Sequence, residues 1–441
     1  MFHREVLEKA ALKADAAQVY LRSSGNTPVR FAANKLKTLE TRNARSLTLR
    51  VIHAGRIGIA STSKFEDADW VVEAALAAAE FGPEARFEFA DPAVNPEVDV
   101  FDPRTPAHAV EDMVEAGREI VDLLRQHEPD LNIDVGLDKE VERTAIAGAA
   151  GEQAYERTSY GGSVSANLVR GTDVLGVYSF QVECGPDFDL DRICTEITEK
   201  LDLAKESATV ATGALPVVLT PMAFGMVLAP ALGAGFNGKL IEQGASPLVG
   251  RIGEQVFDER LAIADDATLH RSPLSCPFDD EGLPTRRVPL IEDGVLKSFL
   301  FDLQTAGKLG ESSTGNGYGA TPSPRSSATV VGGGEGSLED LIGDIEEGIL
   351  ADYLLGGGQA NVLRGDFGGN LLLGFKIEQG QIVGRLKDTL ISGNAYELLA
   401  KIGRIGGRCE WVGGRLCAPP LVLEGVTVAT RGQGRAGGLE G

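Results

Sequence analysis

The segment that most restricts the fold is an uncharged run at residues 213–236, GALPVVLTPMAFGMVLAPALGAGF. A run of that length must leave water, either by crossing a bilayer or by lying inside a protein. Pro216, Pro221 and Pro230, together with four glycines, interrupt the regular helix that a lipid-facing span requires, and the sequence contains no second run of this kind. The segment therefore reads as a buried strand, PVVLT, followed by a buried helix. It places an apolar core at the start of the C-terminal half.

The rest of the chain is consistent with such a core. At 441 residues it is too long for one hydrophobic interior, and 43% hydrophobic with 24% charged residues is the composition of a soluble globular protein. The 55 glycines gather in the C-terminal half, which implies tight turns between short strands. The net charge is −22, and both halves share it: 23 basic against 37 acidic residues up to Gly213, and 19 against 27 after it. No basic patch is available to displace counterions from phosphates, so direct nucleic-acid binding is excluded as a reading.

Patterning divides the chain. Residues 1–17 form an amphipathic helix pattern without the apolar core and cleavage site of a signal peptide, which leads us to expect a cytoplasmic protein. AAQVYLRSS reads as a strand, and residues 45–62 read as a hairpin turning at H-A-G-R. S-K-F-E from Ser63 resembles a capping box for a helix ending at Glu80. A Pro- and acid-rich connector covers 81–106, and Thr105 and Pro106 read as the start of a helix reaching His127. Strand patterns follow, including a hairpin over 163–184 turning at 171–173, then a helix over 190–208.

Helix, strands, helix thus occurs twice, in 1–80 and 107–208, alike in pattern but without shared identity, and an internal duplication stays open. The spacing predicts an α+β fold: an N-terminal helix and hairpin region (1–213), then a strand-rich, glycine-rich domain (214–430). Two helices of that domain are expected from Ser337 (SLEDLIGDIEEGILADYLL) and from GNAYELLAKIG, and residues 431–441 are expected to be disordered.

Chemical motifs are sparse. The histidines His3, His53, His108, His127 and His270 include no pair at zinc-ligand spacing on one helical face. His108 and Asp112 read as an exposed helix surface. GAGFNGKL at 233–240 matches GxGxxG, but Leu240 stands where a P-loop needs Ser or Thr, and the preceding segment is helical. No GxSxG is present. The cysteines Cys184, Cys194, Cys276, Cys409 and Cys417 are odd in number and scattered, as in a reducing compartment rather than a disulfide framework. Asp279, Asp280 and Glu281 admit two readings, acid/base chemistry or a solvated loop.

Several ordered blocks carry a resemblance. F-D-D-E-G-L-P-T-R-R from Phe278, the following V-P-L-I-E-D-G-V-L-K-S-F-L, S-T-G-N-G-Y-G from Ser313, GFKIEQGQIVG from Gly374, S-G-N at 392–394 and NKLKTLETRNARSLTLRVIHAGRIGIAST together resemble the TldD/PmbA family. The resemblance implies a two-subunit cytoplasmic peptidase in which the TldD type carries HExxxH with zinc and the PmbA (TldE) type does not. Counting back without gaps from G-E-Q-V at 253–256, the three functional positions fall on Ala229, Pro230 and Ala234. Alanine and proline side chains offer neither a lone pair for zinc nor a carboxylate for water.

The chain is therefore similar to the metal-free PmbA/TldE type, with no cofactor of its own and zinc expected in a TldD-type partner. A cysteine ligand lies near the C-terminus of active members; Cys409 and Cys417 are close, in no clear register. Asp279, Asp280, Glu281, Gly315, Asn316, Gly317, Tyr318, Ser392, Gly393 and Asn394 are candidate peptide-binding or interface loops, with an extended peptide admitted by edge pairing. The competing expectation is a self-associating peptide-binding or scaffold protein without a catalytic partner, and a homo-oligomer stays open.

Overall fold

The computed structural model describes residues 2–358 and 360–430. It has an α+β architecture in which both N-terminal passes build one sheet. The strands are β1 (Ala16–Ala32), β2 (Lys35–Leu39), β3 (Arg42–His53), β4 (Arg56–Thr62), β5 (Asn132–Gly148), β6 (Gly151–Arg170) and β7 (Asp173–Glu183), in the order β4-β3-β1-β5-β6-β7 with β2 on β1. The seam is an antiparallel pairing of β1 with β5, from Gln18 opposite Gly148 to Phe31 opposite Val135. The H-A-G-R turn is a tight hairpin with Ala54 and Gly55 both at positive φ, 48° and 73°.

Helices α1 (Phe2–Ala11) and α2 (Ala68–Phe81) cover one end of this sheet over Val6, Val19, Leu49 and Val71. Helices α3 (Arg104–Ala107), α4 (Val110–His127) and α5 (Leu190–Leu203) lie toward the other end, where Met113, Ile120, Ile133 and Ile193 are buried together. Three local expectations fail here. The cap of α2 is Asp67, whose carboxylate accepts from Trp70 N–H at 2.9 Å, so Ser63 lies outside the helix. Thr105 cannot cap α4, because its hydroxyl donates to the Cys184 carbonyl at 2.7 Å and the chain turns extended at His108. The helix expected to reach residue 208 ends at Leu203, and Ser207–Ala208 (β8) joins the C-terminal sheet.

The C-terminal region closes a barrel. β9 (Gly213–Leu219) pairs with β16 (Glu347–Leu355), β16 with β17 (Asp366–Glu378), β17 with β19 (Thr389–Asn394), and β19 with β23 (Leu421–Thr430), which returns to β9. β18 (Gln381–Leu386) and β20 (Ile402–Ile405) extend it from β17 and β23, and β8 pairs with β18. A six-stranded sheet lies beside it, in the order β12 (Val295–Leu296), β11 (Arg287–Glu292), β10 (Ile263–Asp266), β15 (Thr329–Val331), β22 (Leu416–Ala418), β21 (Glu410–Val412). β13 (Gly317–Tyr318) and β14 (Ser323–Pro324) form a small hairpin.

Strand β9 explains the uncharged run. Val217 and Leu219 join the core that holds α6 (Pro221–Val227) and α7 (Ala229–Gly235), whereas Val218 joins the core beneath α4 and α5. Both faces of the strand are dry, so the letters do not alternate. The helix expected from Ser337 is cut short: α10 (Leu338–Gly343) has its capping box, but the chain then becomes β16, paired on both sides by β9 and β17. Burial of Ile349, Leu350 and Ala351 between two strands overrides the local helical pattern. The helix after Asn394 forms as α11 (Ala395–Leu399), and the remaining helices are α8 (Gly238–Glu242) and α9 (Leu303–Leu309).

The cysteines also differ from expectation. The β21–β22 hairpin brings the Cα atoms of Cys409 and Cys417 to 5.6 Å, and the two are joined as a disulfide; Cys184, Cys194 and Cys276 are free and buried. No helix among the described residues is long and apolar enough to cross a membrane. The segment 431–441, expected to be disordered, lies outside the described residues.

Candidate functional site

Helix α6 begins at Thr220, whose hydroxyl accepts from Ala223 N–H at 3.2 Å. Pro230 lacks an N–H and stands in the first turn of α7, which separates the two helices at Leu228. Phe224, Val227, Ala231 and Leu232 are buried and anchor the pair. Ala229 and Gly233 line a cavity of about 300 Å³, with Arg325 and Arg415 at its edge.

The donor set here does not fit zinc. Ala229, Pro230 and Ala234 carry no ligand atom, the nearest charged groups lining the cavity are guanidiniums, and Cys409 and Cys417 are bonded to each other. Among the described residues no group of three His, Cys, Asp or Glu side chains could hold a metal ion. The histidines are dispersed: His3 meets Glu152 at 3.3 Å, His127 meets Asp202 at 2.8 Å, and His270 Nδ1 accepts from Asp99 N–H at 3.2 Å. His108 lies outside α4 and so shares no helix face with Asp112, though the two stay close enough to interact by charge; it ends α3, half-buried, with its ring edge-on to Tyr160 at 5.0 Å.

A second site lies where the N-terminal sheet meets the C-terminal region. Asp279, Asp280 and Glu281 are not a solvated loop. Asp279 is fully buried, and its carboxylate accepts from the backbone N–H groups of Glu281 (3.0 Å), Leu283 (3.0 Å) and Gly317 (2.9 Å). Asp280 accepts from Gly319 N–H at 2.6 Å, and Glu281 from Leu303 N–H at 2.8 Å. Burial pushes all three carboxyls above the ordinary carboxylate range, the neighbouring carboxylates add to it, and the backbone donors pull the other way.

The N-terminal sheet reaches into this cluster with two side chains. Gln18 Nε2 donates to the Glu281 carbonyl at 3.0 Å. Arg50, buried in β3, donates to Gln18 Oε1 (3.1 Å), to the carbonyls of Ala320 (3.0 Å) and Gly319 (2.8 Å), and to the Asp280 carbonyl. Of the other candidate loop residues, Gly315, Asn316, Gly317 and Tyr318 stand in this cluster. Asn316 Nδ2 bonds Asp265 at 2.6 Å, and the Tyr318 hydroxyl lies 3.6 Å from Cys276 Sγ. Ser392, Gly393 and Asn394 do not join it. They pair with Gly368, Phe367 and Asp366 on the barrel, and Asn394 caps α11.

Reasoning from the sequence missed Gln18, Arg50 and Asp265. The available signal was a charge or amide at an inward position of an apolar strand, as in V-I-H after T-L-R, and two acids in I-A-D-D.

With this geometry in place, comparison assigns the lineage. Residues 212–430 match the PmbA/TldA metallopeptidase C-terminal domain, and residues 17–79 match PmbA/TldA metallopeptidase domain 1. The chain belongs to the PmbA/TldD family. A metalloprotease TldD homolog of Haemophilus influenzae is 34% identical over 202 residues, which are 45% of this chain and 42% of that protein. The chain thus spans less than half the length of that relative. A metalloprotease of Synechocystis sp. is 27% identical over 420 residues, 92% of this chain and 90% of that one. The fold matches the crystal structure of TldE from Thermococcus kodakarensis with a TM-score of 0.88 at 24% identity, covering 97% of this chain and 100% of that one.

Proposed function

We propose that this PmbA/TldD chain is the metal-free, TldE-type subunit of a two-subunit cytoplasmic peptidase, and that a TldD-type partner bearing HExxxH holds the zinc. The observation that carries the reading is α7. In a family whose relatives bear the name metalloprotease, the helix that begins at Ala229 has methyl groups and a proline ring at the three positions where the resemblance places HExxxH. The substrate in this reading is an unfolded or leader-bearing peptide, held in extended form against a sheet edge.

The test is reconstitution. This chain, a TldD-type HExxxH subunit, and their mixture are assayed on unfolded peptides and sized in solution. The reading predicts no turnover by this chain alone, a stable heteromer on mixing, and altered cleavage by the mixture. A homo-oligomer that ignores the HExxxH subunit refutes it and favours a self-associating scaffold.

A further inference from the structure

A cavity of about 490 Å³ lies where β3, β4 and α2 face the connector and helices α8 and α9. Its walls differ in chemistry. Ile57, Ile59, Pro83, Phe87 and Phe89 form an apolar side. The opposite side is acidic, with Glu281 and Asp302 both lining the cavity and both 4% exposed.

Each of these carboxylates is tethered by one oxygen. Glu281 Oε2 accepts from Leu303 N–H at 2.8 Å, and Asp302 Oδ1 accepts from Thr305 N–H at 2.7 Å. Glu281 Oε1 receives no hydrogen bond among the described residues, and the Thr305 hydroxyl is a second donor to Asp302. Two cations act on the pair by charge: Arg50, whose donors go to Gln18 and backbone carbonyls, favours the charged form of Glu281, and Lys239 that of Asp302, while Lys308 pairs with Glu242 at 3.2 Å. Lys239 is exposed at the rim. Burial and repulsion from Asp279 and Asp302 hold the Glu281 carboxyl above its ordinary range, which favours its protonated form while the cavity is empty. A cation bonded to both carboxyls offsets the cost of ionising the buried pair.

The apolar wall is preformed. Gln304 of α9 clamps the connector in both directions, donating to the Glu84 carbonyl at 2.8 Å and accepting from Arg86 N–H at 2.9 Å. Gly307 approaches so closely that a Cβ there would lie 1.7 Å from the Arg86 carbonyl oxygen. A mostly apolar cavity of this size with a few converging polar groups is the usual form of a small-ligand site.

We propose that this cavity binds a primary ammonium group carried on an apolar body, the ammonium between Glu281 and Asp302 and the body against Phe87 and Phe89. A small organic amine and the N-terminal residue of a peptide share this chemistry. The inference is independent of any partner subunit.

The test is calorimetric titration of the full chain with phenethylamine and with N-acetylphenethylamine. Saturable binding of the amine is expected, weakened about tenfold or more by acetylation, which removes the charged hydrogen bonds. Glu281→Gln keeps an acceptor for Leu303 N–H and is expected to weaken the amine by a similar factor. Phe87→Ala, on the connector, provides a second variant whose folding does not depend on the buried cluster, and it is also expected to weaken binding. A peptide beginning with Phe that binds as tightly as phenethylamine assigns the site to chain termini; weaker binding assigns it to free amines. Equal binding of the acetylated compound, or no saturable binding of the amine to the native chain, overturns the proposal.

Discussion

The side-chain amide of Asn316 donates to Asp265 Oδ2 at 2.6 Å, in a place where neither residue reaches solvent. Asp265 also accepts from Ser326 Oγ (2.6 Å), Ser327 N–H (2.8 Å), Ser327 Oγ (3.0 Å) and Ala328 N–H (3.0 Å). One carboxylate on β10 therefore organises the loop that carries the β13–β14 hairpin into the domain junction.

Replacing Asp265 with Ala strands these donors away from water. Each unpaired buried donor costs about 1–3 kcal/mol, so Asp265→Ala is expected to lose about 3 kcal/mol or more of stability. Urea unfolding of the full chain measures this, and a loss within 0–1 kcal/mol, roughly that of an ordinary surface change, contradicts the assigned role.

Arg50 ties the N-terminal sheet to the Asp280 and Gly319–Ala320 backbone. Lysine keeps the charge but loses the planar fork, so Arg50→Lys is expected to cost about 2 kcal/mol and to expose the 279–320 region to protease. Limited proteolysis with mass mapping reports whether the cut falls there or elsewhere.

Glu281 gives a pH signature. Its folded-state carboxyl titrates above the ordinary value because of burial and neighbouring carboxylates. The folded chain then keeps a proton that the unfolded chain gives up above about pH 4, so this residue's contribution falls as pH rises from there. Glu281→Gln removes the titration, and its stability relative to the native chain is expected to rise between about pH 5 and about pH 8. Paired unfolding curves at the two pH values check it; a pH-independent difference rules it out.

How much of this was legible in the sequence follows from where the determinants lie. The α+β class, the H-A-G-R hairpin and the buried β9 all rest on local letters, and local letters sufficed. The barrel did not, because β16 reads as helix in isolation and becomes a strand only through pairing with β9 and β17, which lie far apart in sequence. The same holds for Asp279–Glu281. Three adjacent acids are ordinarily a wet loop, and what dries them is Gln18 and Arg50, more than 200 residues earlier. The Cys409–Cys417 bond likewise depends on a hairpin whose register no count of cysteines supplies.

The proposed TldE-type role requires that this chain carry no metal of its own, with Ala229, Pro230 and Ala234 standing where the resemblance places HExxxH. Elemental analysis of the chain purified without its partner, after equilibration with zinc and removal of excess, tests it most directly. Zinc far below one ion per chain is expected. Tightly held stoichiometric zinc would contradict it.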